Sequence, residues 1–555
     1  MHPAWRRNEP KSHHLGEASQ HWRIPMTPKF LGRDCELSST GIDGDDSSID
    51  PGRVTREVLR QIPEAFTAQG ATVWSERSRF MSASMDCLRN WSSSGMCHYA
   101  DMAHVECASA VCLDPNDLAA QCWAMVRAAE EARQLAEQAS DEPVSFSLST
   151  SNADLLDPSI SFGTHLSACV SESLWGDLFH SWRRPSRLAM VASGLAAATP
   201  FFGSGYLLPF RDRVTYSLSA RAHHITRVTS LSTTEAFRRG MLNSRREPHG
   251  KGFQRLHIIG FDFCLLSTPL LASFVQTLLA AAEENFCGLQ LVDPVRALRV
   301  WSWGLDLQTG RMPERATLVD GRNLTLPAYL REMTQTLLTM CESGLIPETV
   351  APRATTLLPR LIELTHYAEE GSVTQCAPHL TWASKLLCLL NTCHEEGAEF
   401  GDAATRLMDH DFSNTDPERG LIWQLWDEGL VDPLIERDAV EACWTRAPDN
   451  SRDALRGRMI EKFHDSIHDI DWSYVEFRET EDRWGPRFRV DLPDLERSAG
   501  EEIERIIDSS ADVRELSERL TRLERAESRN PVDDVRDDLA IPGPEQHWPA
   551  TTLDA

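Results

Sequence analysis

A short polar segment in the first quarter of the chain contains the residue types most suited to metal binding and proton transfer. Tyr99 and Glu106 bracket it, and Asp101 and His104 lie inside it among small and apolar neighbours. Carboxylate oxygens are preferred ligands of Mg²⁺, and carboxylates and imidazoles act as general acids and bases. The segment therefore indicates a catalytic or metal site, although a strand end followed by a polar loop would give the same pattern.

A second polar segment supplies cations to complement these carboxylates. Residues 243–249 read Asn-Ser-Arg-Arg-Glu-Pro-His, and Arg255 and His257 follow closely. Guanidinium groups make bidentate, permanently charged contacts to phosphate and carboxylate oxygens. The two segments together predict a site that binds a nucleotide with a divalent metal and moves protons.

The carboxylates of the first segment meet only if the chain bends between them. If residues 97–101 form a strand, Tyr99 and Asp101 point to one face, because side chains alternate along a strand. An unbroken strand would send Glu106 to the opposite face. The site therefore requires a bulge or turn near residues 102–103.

The composition is that of a soluble globular protein. The 555 residues are 41% hydrophobic and 25% charged, and this length predicts more than one domain. The net charge of −27 argues against general nucleic-acid binding through a basic surface. A local cationic cluster stands within this acidic whole, with solvated surface as the alternative explanation. The cluster consists of Arg238, Arg239, Arg245, Arg246 and Arg255.

The cysteines and apolar segments predict a cytoplasmic protein outside the membrane. None of the 14 cysteines forms a Cys-x-x-Cys pair, and scattered reduced thiols are typical of cytoplasmic proteins. Residues 265–282 form the most apolar stretch, which predicts a buried helix because it is too interrupted to span a membrane. Residues 1–26 are rich in Arg, His and Pro without an apolar signal core, which predicts a disordered extension.

The order of predicted elements favours an α+β enzyme with an antiparallel sheet cradle packed with helices. Strands are expected at residues 29–37, 144–150, 214–218 and 256–261, with a flexible loop at 39–52. Helices are expected at residues 116–138, 326–343, 353–370, 379–396, 417–429 and 451–466.

A smaller C-terminal α/β module is predicted to begin at Asp432. Residues 472–477 and 488–492 are typical of a short strand pair, and residues 500–527 of one charged helix. The tail from Ser528 lacks periodicity, which predicts disorder. The predicted divisions are an extension at 1–26, a catalytic domain at 27–431, the module at 432–527 and the tail at 528–555.

The polar segments resemble motifs of the Pup ligase and Pup deamidase (depupylase) family, which belongs to the glutamine-synthetase-like carboxylate–amine ligases. That family carries Tyr-x-Asp…His-Pro-Glu, Ser-x-Gly-x-His-Glu-Asn-Tyr, Asn-Thr-Arg-Asp-Glu-Pro-His, Arg-Leu-His and Gly-Asp-x-Asn. The matching segments occur here in the same order, at residues 99–106, 161–165, 243–249, 255–257 and Asp262. The resemblance covers most of the chain and implies a glutamine-synthetase-like fold.

The resemblance also implies roles for individual residues. Asp101 matches the catalytic aspartate, and Trp472 matches a tryptophan near the nucleotide base, with a core tryptophan as the alternative. The implied nucleotide contacts are Ser109, Arg221, Arg245 and Trp472. The implied magnesium ligands are Asp34, Glu36, Tyr99 through its carbonyl, Glu106, His165 and His257. Asp34 replaces a glutamate of the family, which shortens the reach of one ligand by a methylene.

Several polar groups of the family pattern are missing from this chain. His-Glu-Asn-Tyr is replaced by His-Leu-Ser-Ala at residues 165–168. Cys97 stands where the family has an arginine, Cys264 where it has an asparagine, and Ser267 where it has a glutamate. These changes predict an altered substrate or weakened catalysis.

The resemblance implies an enzyme that uses ATP and Mg²⁺ on a Pup-like protein modifier and its conjugated proteins, and that acts as a monomer. The short spacing between Asp101 and Glu106 and the long segment between Glu36 and Tyr99 favour the deamidase/depupylase branch. A Pup ligase that forms the isopeptide bond through a glutamyl phosphate is the alternative. A second alternative is an impaired paralogue that only binds the modifier or a nucleotide.

Overall fold

The computed structural model describes residues 27–76, 89–154, 157, 159–180, 185–210, 213–235, 238–479, 485–492, 494–495 and 500–527. The predicted extension at 1–26 and the predicted tail at 528–555 lie outside these residues. Within the described chain, every helix falls short of the length and apolar character that a membrane span requires.

The described strands and helices alternate along the chain. The strands are β1 (Leu31–Asp43), β2 (Val73–Ser75), β3 (Arg89–Ser92), β4 (Cys97–Asp101), β5 (His104–Ala108), β6 (Val144–Ser149), β7 (Thr164–Ser171), β8 (Tyr206–Phe210), β9 (Arg213–Ser217), β10 (Arg227–Ser230), β11 (Gly240–Asn243), β12 (Phe253–Ile258), β13 (Arg315–Thr317), β14 (Asn323–Thr325), β15 (Ile467–Asp471), β16 (Tyr474–Arg478) and β17 (Arg487–Asp491). The α-helices are α1 (Pro51–Ala68), α2 (Pro115–Gln138), α3 (Glu172–Phe179), α4 (Pro185–Phe201), α5 (Thr268–Glu283), α6 (Pro294–Trp303), α7 (Leu326–Glu342), α8 (Ala351–Glu370), α9 (Val373–Cys376), α10 (Thr381–Glu396), α11 (Ala403–Phe412), α12 (Leu421–Asp427), α13 (Arg437–Ala442), α14 (Arg452–Phe463), α15 (Gly500–Ser509) and α16 (Val513–Glu527).

A large sheet positions the candidate site. Its strand order is β10-β11-β12-β7-β1-β5-β4-β3-β2, and β6 pairs with the outer half of β1. Apart from the parallel pair β10–β11, the neighbouring strands run antiparallel. The α+β class with an antiparallel sheet cradle is therefore confirmed.

Strand β1 separates the core from the site by simple alternation. Leu31, Cys35 and Leu37 are buried, whereas Asp34 and Glu36 between them are partly exposed on the other face. Helices α1, α2 and α5 pack in layers over the buried face. The two acids are therefore held on a rigid central strand, with the main hydrophobic core behind them.

The predicted loop at residues 39–52 is wrong in its first half, because β1 continues to Asp43. The outer part of β1 pairs with β6, from Ser38 opposite Ser149 to Asp43 opposite Val144. A Cβ atom at Gly41 would lie 2.9 Å from Phe146 Cδ1, so the small residue permits this close approach. Small polar residues here belong to a strand, and their partner lies about a hundred residues away.

The other sequence predictions fared unevenly. The helices at 116–138, 326–343, 353–370 and 379–396 are confirmed within two residues at each end. The predicted helix at 417–429 is shorter, at Leu421–Asp427, and the predicted strand at 256–261 is shifted to Phe253–Ile258, where it pairs with β7.

The sequence predicts a pair of strands in the C-terminal module, but the structure has a three-stranded sheet. The additional strand is Ile467–Asp471, for which the sequence predicts no element. The predicted single helix at 500–527 is two helices, because Asp512 caps a second one by accepting a hydrogen bond from Glu515 N at 2.9 Å.

The C-terminal elements have a hydrophobic cluster of their own. Leu455, Phe477 and Leu516 pack in it against Trp91 and Cys97 from the main sheet. The preceding residues Val440 and Trp444 belong instead to the main core. The domain boundary at Asp432 stays a prediction.

Candidate active site

A tight hairpin brings Asp101 and Glu106 to one face of the sheet. Strands β4 and β5 pair with Tyr99 opposite Glu106 and with Asp101 opposite His104. Met102 turns the chain with a φ of 54°. The turn that the sequence required is therefore present, and it returns Glu106 to the face of Tyr99.

Four carboxylates and one imidazole converge in front of β1. Glu36 pairs with Glu106 across β1 and β5, and Asp34 pairs with His165 across β1 and β7. Asp34, Glu106 and His165 form one group whose ligand atoms lie within 4.8 Å of one another. Glu36, Asp101 and Glu106 form a second such group. Glu106 belongs to both groups, so it is the centre of the cluster.

The carboxylates of this cluster repel one another. Burial, followed by the charges of Asp34, Glu36 and Asp101, raises the pKa of Glu106 well above its usual value. Burial, followed by the charge of Glu36, raises the pKa of half-buried Asp101. Such crowding of acids favours a bound divalent cation, because a cation would compensate their charge.

Asp34 is stabilised as an anion by its cationic side. Burial opposes ionisation, but His165 and Arg255 outweigh it, and the pKa of Asp34 is lowered. His165 Nδ1 lies 2.9 Å from Asp34 Oδ1. The carboxylate of Asp34 therefore stays charged, whereas the carboxyl group of Glu106, at the other end of the cluster, resists ionisation.

His257 offers a further ligand position beside this cluster. Its ring packs edge-to-face on His165, with centroids 4.7 Å apart, and it is 7% exposed. Neither ring nitrogen has a hydrogen-bond partner among the described residues. Burial, followed by the charge of Arg255, lowers its pKa well below the usual value, so the ring is neutral and can donate a lone pair.

A cleft opens on the Asp34 side of the cluster. Its polar wall includes Asp34, Ser109 and Arg255, and its apolar wall includes Phe253 and Trp472. Such a division between a charged end and an aromatic end suits a phosphate ester that carries a flat base.

The C-terminal module contributes two residues to this cleft. Trp472 lies in the turn between β15 and β16 and packs edge-to-face on Trp91, with centroids 4.7 Å apart. Arg452 is 3% exposed and donates from Nη1 to the carbonyls of His249 and Leu492, at 2.5 and 3.1 Å. Burial, followed by the charge of a neighbouring arginine, lowers the pKa of Arg452 to about 10.

The sequence predicts Arg255 only as part of a cationic segment and predicts no role for Arg452, and both residues line the cleft. Arg255 donates from Nε to Ser167 Oγ at 2.8 Å and approaches His249 Nε2 at 3.4 Å. The Arg-Leu-His motif at 255–257 was the available signal for Arg255. The position of Arg452 follows only from packing of the module.

The four predicted nucleotide contacts do not lie together. Ser109 and Trp472 line the cleft. Arg221 is buried elsewhere, donating to the carbonyl of Ile259 from Nε and Nη2 at 3.1 and 2.8 Å and to the carbonyl of Phe162. The Arg245 side chain is 46% exposed, and its guanidinium lies 3.7 Å from Glu247. The nucleotide roles of Arg221 and Arg245 stay predictions.

The motif residue Asp262 organises the chain around Arg221. Its carboxylate accepts hydrogen bonds from the backbone of Ser204, Ala220 and Arg221 at 2.9 to 3.0 Å, and from the hydroxyls of Ser204 and Ser219 at 2.9 Å. It is 1% exposed. This aspartate therefore acts through structure, since all these contacts lie within the protein.

Most of the positions where family polar groups are missing are buried, and Ser167 is a partly exposed exception that lines the cleft. Leu166, Cys97, Cys264 and Ser267 are each at most 1% exposed, and Leu166 packs in the main core. The site thus depends on the remaining cluster residues for its charge.

The chain is similar to known proteins over most of its length. The family model described as Pup-ligase protein matches residues 48–476. The chain belongs to this family. The Pup deamidase/depupylase of Mycolicibacterium smegmatis is 28% identical over 440 residues, which cover 76% of this chain and 81% of the relative. The Pup–protein ligase of Rhodococcus opacus is 27% identical over 316 residues, which cover 55% and 66%.

Two solved structures share the fold. The complex of Pup with its ligase PafA superposes with a TM-score of 0.70 at 19% identity, covering 93% of this chain and 99% of the other. The ADP complex of the Pup ligase PafA gives a TM-score of 0.64 at 20% identity, covering 75% and 88%. The family of pupylation enzymes thus includes both ligases and deamidases, and this chain has their architecture.

Proposed function

We propose that this protein is an ATP- and Mg²⁺-dependent deamidase and depupylase. It would hydrolyse the C-terminal glutamine amide of a Pup-like modifier, the isopeptide bond to a substrate lysine, or both. The observation that carries this proposal is the position of Asp101. Its carboxylate joins the group of Glu36 and Glu106, yet it stays half-buried at the tip of a hairpin where a substrate can reach it.

Hydrolysis follows from an ionised Asp101 beside the amide carbon. As a base, Asp101 takes a proton from water, the resulting hydroxide adds to the carbonyl carbon, and the C–N bond breaks. The nitrogen leaves as ammonia or as the lysine amine after receiving that proton. As a nucleophile, Asp101 instead forms an anhydride while the amine leaves with a proton taken from water, and the hydroxide that remains then hydrolyses the anhydride.

The donor set fits Mg²⁺. Glu106 is a crowded, buried carboxyl, and His257 is a buried imidazole without a partner among the described residues. Asp34, Glu106 and His165 would hold one ion, and Glu36 and Glu106 would hold a second beside Asp101, whose carboxylate acts as base or nucleophile. A bound cation would supply charge compensation and polarise an oxygen of the bound phosphate or amide. The shorter Asp34 would weaken its own position, since Mg²⁺ tolerates little geometric change.

The cleft beside Asp34 is the proposed ATP site. Arg255 and Arg452 would face the phosphates, and Trp472 the base. The Pup ligase PafA was solved in one structure with ADP and in another in complex with Pup. We propose that the nucleotide completes the site in the deamidase, and that the protein works on Pup-like conjugates as a cytoplasmic monomer.

Two features favour the hydrolase over the ligase. Only four residues separate Asp101 from Glu106, the shorter of the two spacings in the family. The deamidase relative also aligns over somewhat more of this chain, 76%, than the Pup–protein ligases of Kocuria rhizophila and Rhodococcus opacus, at 68% and 55%. In the ligase alternative, Asp101 would instead deprotonate an attacking lysine.

The test is a turnover assay with ATP, Mg²⁺ and three substrates: a Pup-like protein ending in Gln, a conjugate of that protein, and the same protein ending in Glu with a target protein. We expect ammonia release or conjugate cleavage from wild type and from Asp465→Asn, a control whose side chain is 93% exposed. Asp101→Asn should be inactive while still binding ATP.

Conjugate formation without hydrolysis would assign the ligase activity instead. Inactivity of wild type in all three reactions, with ATP still bound, would support a binding protein. Full activity in Asp101→Asn would contradict the proposed mechanism.

A further inference from the structure

Arg239 lies at the edge of the candidate site that faces away from the nucleotide cleft. It directly precedes β11, and its carbonyl accepts a hydrogen bond from Thr226 N at 2.9 Å. Asn243 of β11 lies opposite His257 of β12, and His257 in turn lies opposite Ser167 of β7. Because side chains alternate, Arg239 shares the strand face of Asn243 and His257. It therefore belongs to the face of the sheet that carries the carboxylate cluster.

The guanidinium of Arg239 is held by a hydrogen bond, but one of its buried nitrogens has no partner among the described residues. Its Nε donates to the carbonyl of Thr233 at 3.1 Å. Its Nη1 is buried and has no hydrogen-bond partner among the described residues. No carboxylate of the described chain lies within 4 Å of it. A buried donor without a partner costs free energy unless a ligand satisfies it.

The electrostatic surroundings of Arg239 connect it to the cluster. Burial lowers its pKa, and Glu36 is the acid whose charge opposes that shift. Arg239 in turn adds to the burial that lowers the pKa of Arg221 to about 10 and of His224 to about 4. Arg239 and Arg221 thus form a cationic corner beside the carboxylates, where an anionic group would be favoured.

The reaction proposed above brings such a group. When the side-chain amide of a C-terminal glutamine reaches Asp101, the α-carboxylate carbon of the same residue is only four carbon–carbon bonds from the reacting carbon. This negative charge must be kept from the acidic cluster. An internal glutamine has no such carboxylate, so a cation at this point would restrict the site to chain ends.

We propose that Arg239 binds the C-terminal α-carboxylate of the substrate and so selects a terminal residue. This inference rests on the proposed function. A phosphate group is the competing oxyanion, but Arg239 does not line the nucleotide cleft, which lies on the Asp34 side. Arg239 is therefore a specificity-determining residue of the substrate side.

The test measures binding of two fluorescein-labelled peptides with the C-terminal sequence of the modifier, by anisotropy with Mg²⁺ and ADP. One peptide ends in glutamine with a free α-carboxylate, and the other ends in the α-carboxamide. We expect wild type to prefer the acid, and Arg239→Gln to weaken binding of the acid by about 10- to 100-fold while leaving the amide unchanged. Arg238→Gln is the matched control, because Arg238 is the chain neighbour of Arg239 and its side chain is 65% exposed.

Equal loss for both peptides, or no loss for either, would overturn the role of Arg239. Weaker binding of a fluorescent ADP analogue with unchanged peptide binding would assign Arg239 to phosphate and also overturn it. If Arg239→Gln does not fold, Arg239→Lys takes its place in the test. This variant keeps the positive charge, so its preference for the peptide with the free α-carboxylate decides whether Arg239 binds that group. Binding needs no turnover, so an inactive wild type that still prefers the acid would count against the proposed hydrolysis alone.

Discussion

The two ends of the carboxylate cluster hold their charge in opposite ways. Asp34 lies beside His165 and faces Arg255, and its pKa is lowered. Glu106 is only 4% exposed and is surrounded by other acids, and its pKa is raised well above the usual value. The Asp34 end is thus neutralised by the protein itself, whereas the Glu106 end needs an external cation. The difference shows which carboxylate should govern metal binding.

The largest contrast is expected in turnover. Glu106 belongs to both carboxylate groups and Asp34 to one, so Glu106→Gln disrupts both proposed ion positions. We expect turnover to fall by more than about 100-fold in Glu106→Gln and by about 10- to 100-fold in Asp34→Asn, measured at saturating Mg²⁺ and ATP. The reverse order would show that Asp34 is the central ligand.

The same two variants should change metal-free stability in opposite directions. Glu106→Gln removes a crowded carboxyl and should raise the free energy of unfolding by about 1–3 kcal/mol at neutral pH. Asp34→Asn leaves His165 without its acid and should lower it by about 1–3 kcal/mol. Urea unfolding in EDTA measures both. Changes of the same sign would contradict the electrostatic contrast.

The pH dependence of stability should separate the two acids. The raised pKa of Glu106 means that its contribution is full below the ordinary glutamate value of about 4.3 and is lost as pH rises through the raised pKa. The lowered pKa of Asp34 gives a contribution that is full above about 3.9 and is lost as pH falls through the lowered pKa.

The corresponding measurement is thermal unfolding in EDTA between pH 5 and 8. Wild type should lose stability relative to Glu106→Gln as pH rises, and Mg²⁺ should remove that loss. Histidine contributions are common to both proteins and cancel in the comparison. Parallel curves for the two proteins would show that Glu106 does not titrate in this way.

A smaller effect is expected at the cationic wall of the cleft. Arg255→Gln removes a guanidinium that faces the proposed phosphates and should weaken ATP binding by about 10-fold. Arg246→Gln, with a side chain 62% exposed, is the control and should bind ATP like wild type. Fluorescent ATP titration measures both. Equal affinities for all three proteins would place the phosphates elsewhere.

The smallest effect is expected at the aromatic wall. Trp472→Leu should weaken ATP binding by about 3- to 10-fold through lost stacking on the base. Trp303→Leu is the control, because Trp303 is 46% exposed and does not line the cleft. If both variants bound ATP like wild type, Trp472 would have only its packing role against Trp91.

Local features of this molecule could be predicted from sequence, and long-range ones could not. The helix at 116–138 begins with Asp114 and Pro115, and the observed cap is that aspartate, which accepts from Asn116 N at 2.9 Å. The turn at Met102 followed from the need to reunite two acids. Both depend on neighbouring residues, whose conformational preferences are visible in the sequence.

The missed features depend on partners far along the chain. The extension of β1 to Asp43 requires β6, and the cleft requires Arg452 from the C-terminal module. The sequence groups Arg239 with its neighbour Arg238 in one cationic cluster, but the Arg238 side chain is exposed, whereas Nη1 of Arg239 is buried. Burial and pairing at such distances are set by packing, which local pattern does not encode.

The most direct measurement is calorimetric titration of Mg²⁺ into the ADP-bound, metal-free protein, comparing wild type with Glu106→Gln. Glu428→Gln, a substitution of an exposed glutamate that belongs to neither carboxylate group, serves as the control. We expect wild type and the control to bind Mg²⁺ with the same affinity, and Glu106→Gln to bind at least about 10-fold more weakly. Unchanged Mg²⁺ affinity in Glu106→Gln would contradict the assignment of this carboxylate cluster as the metal site.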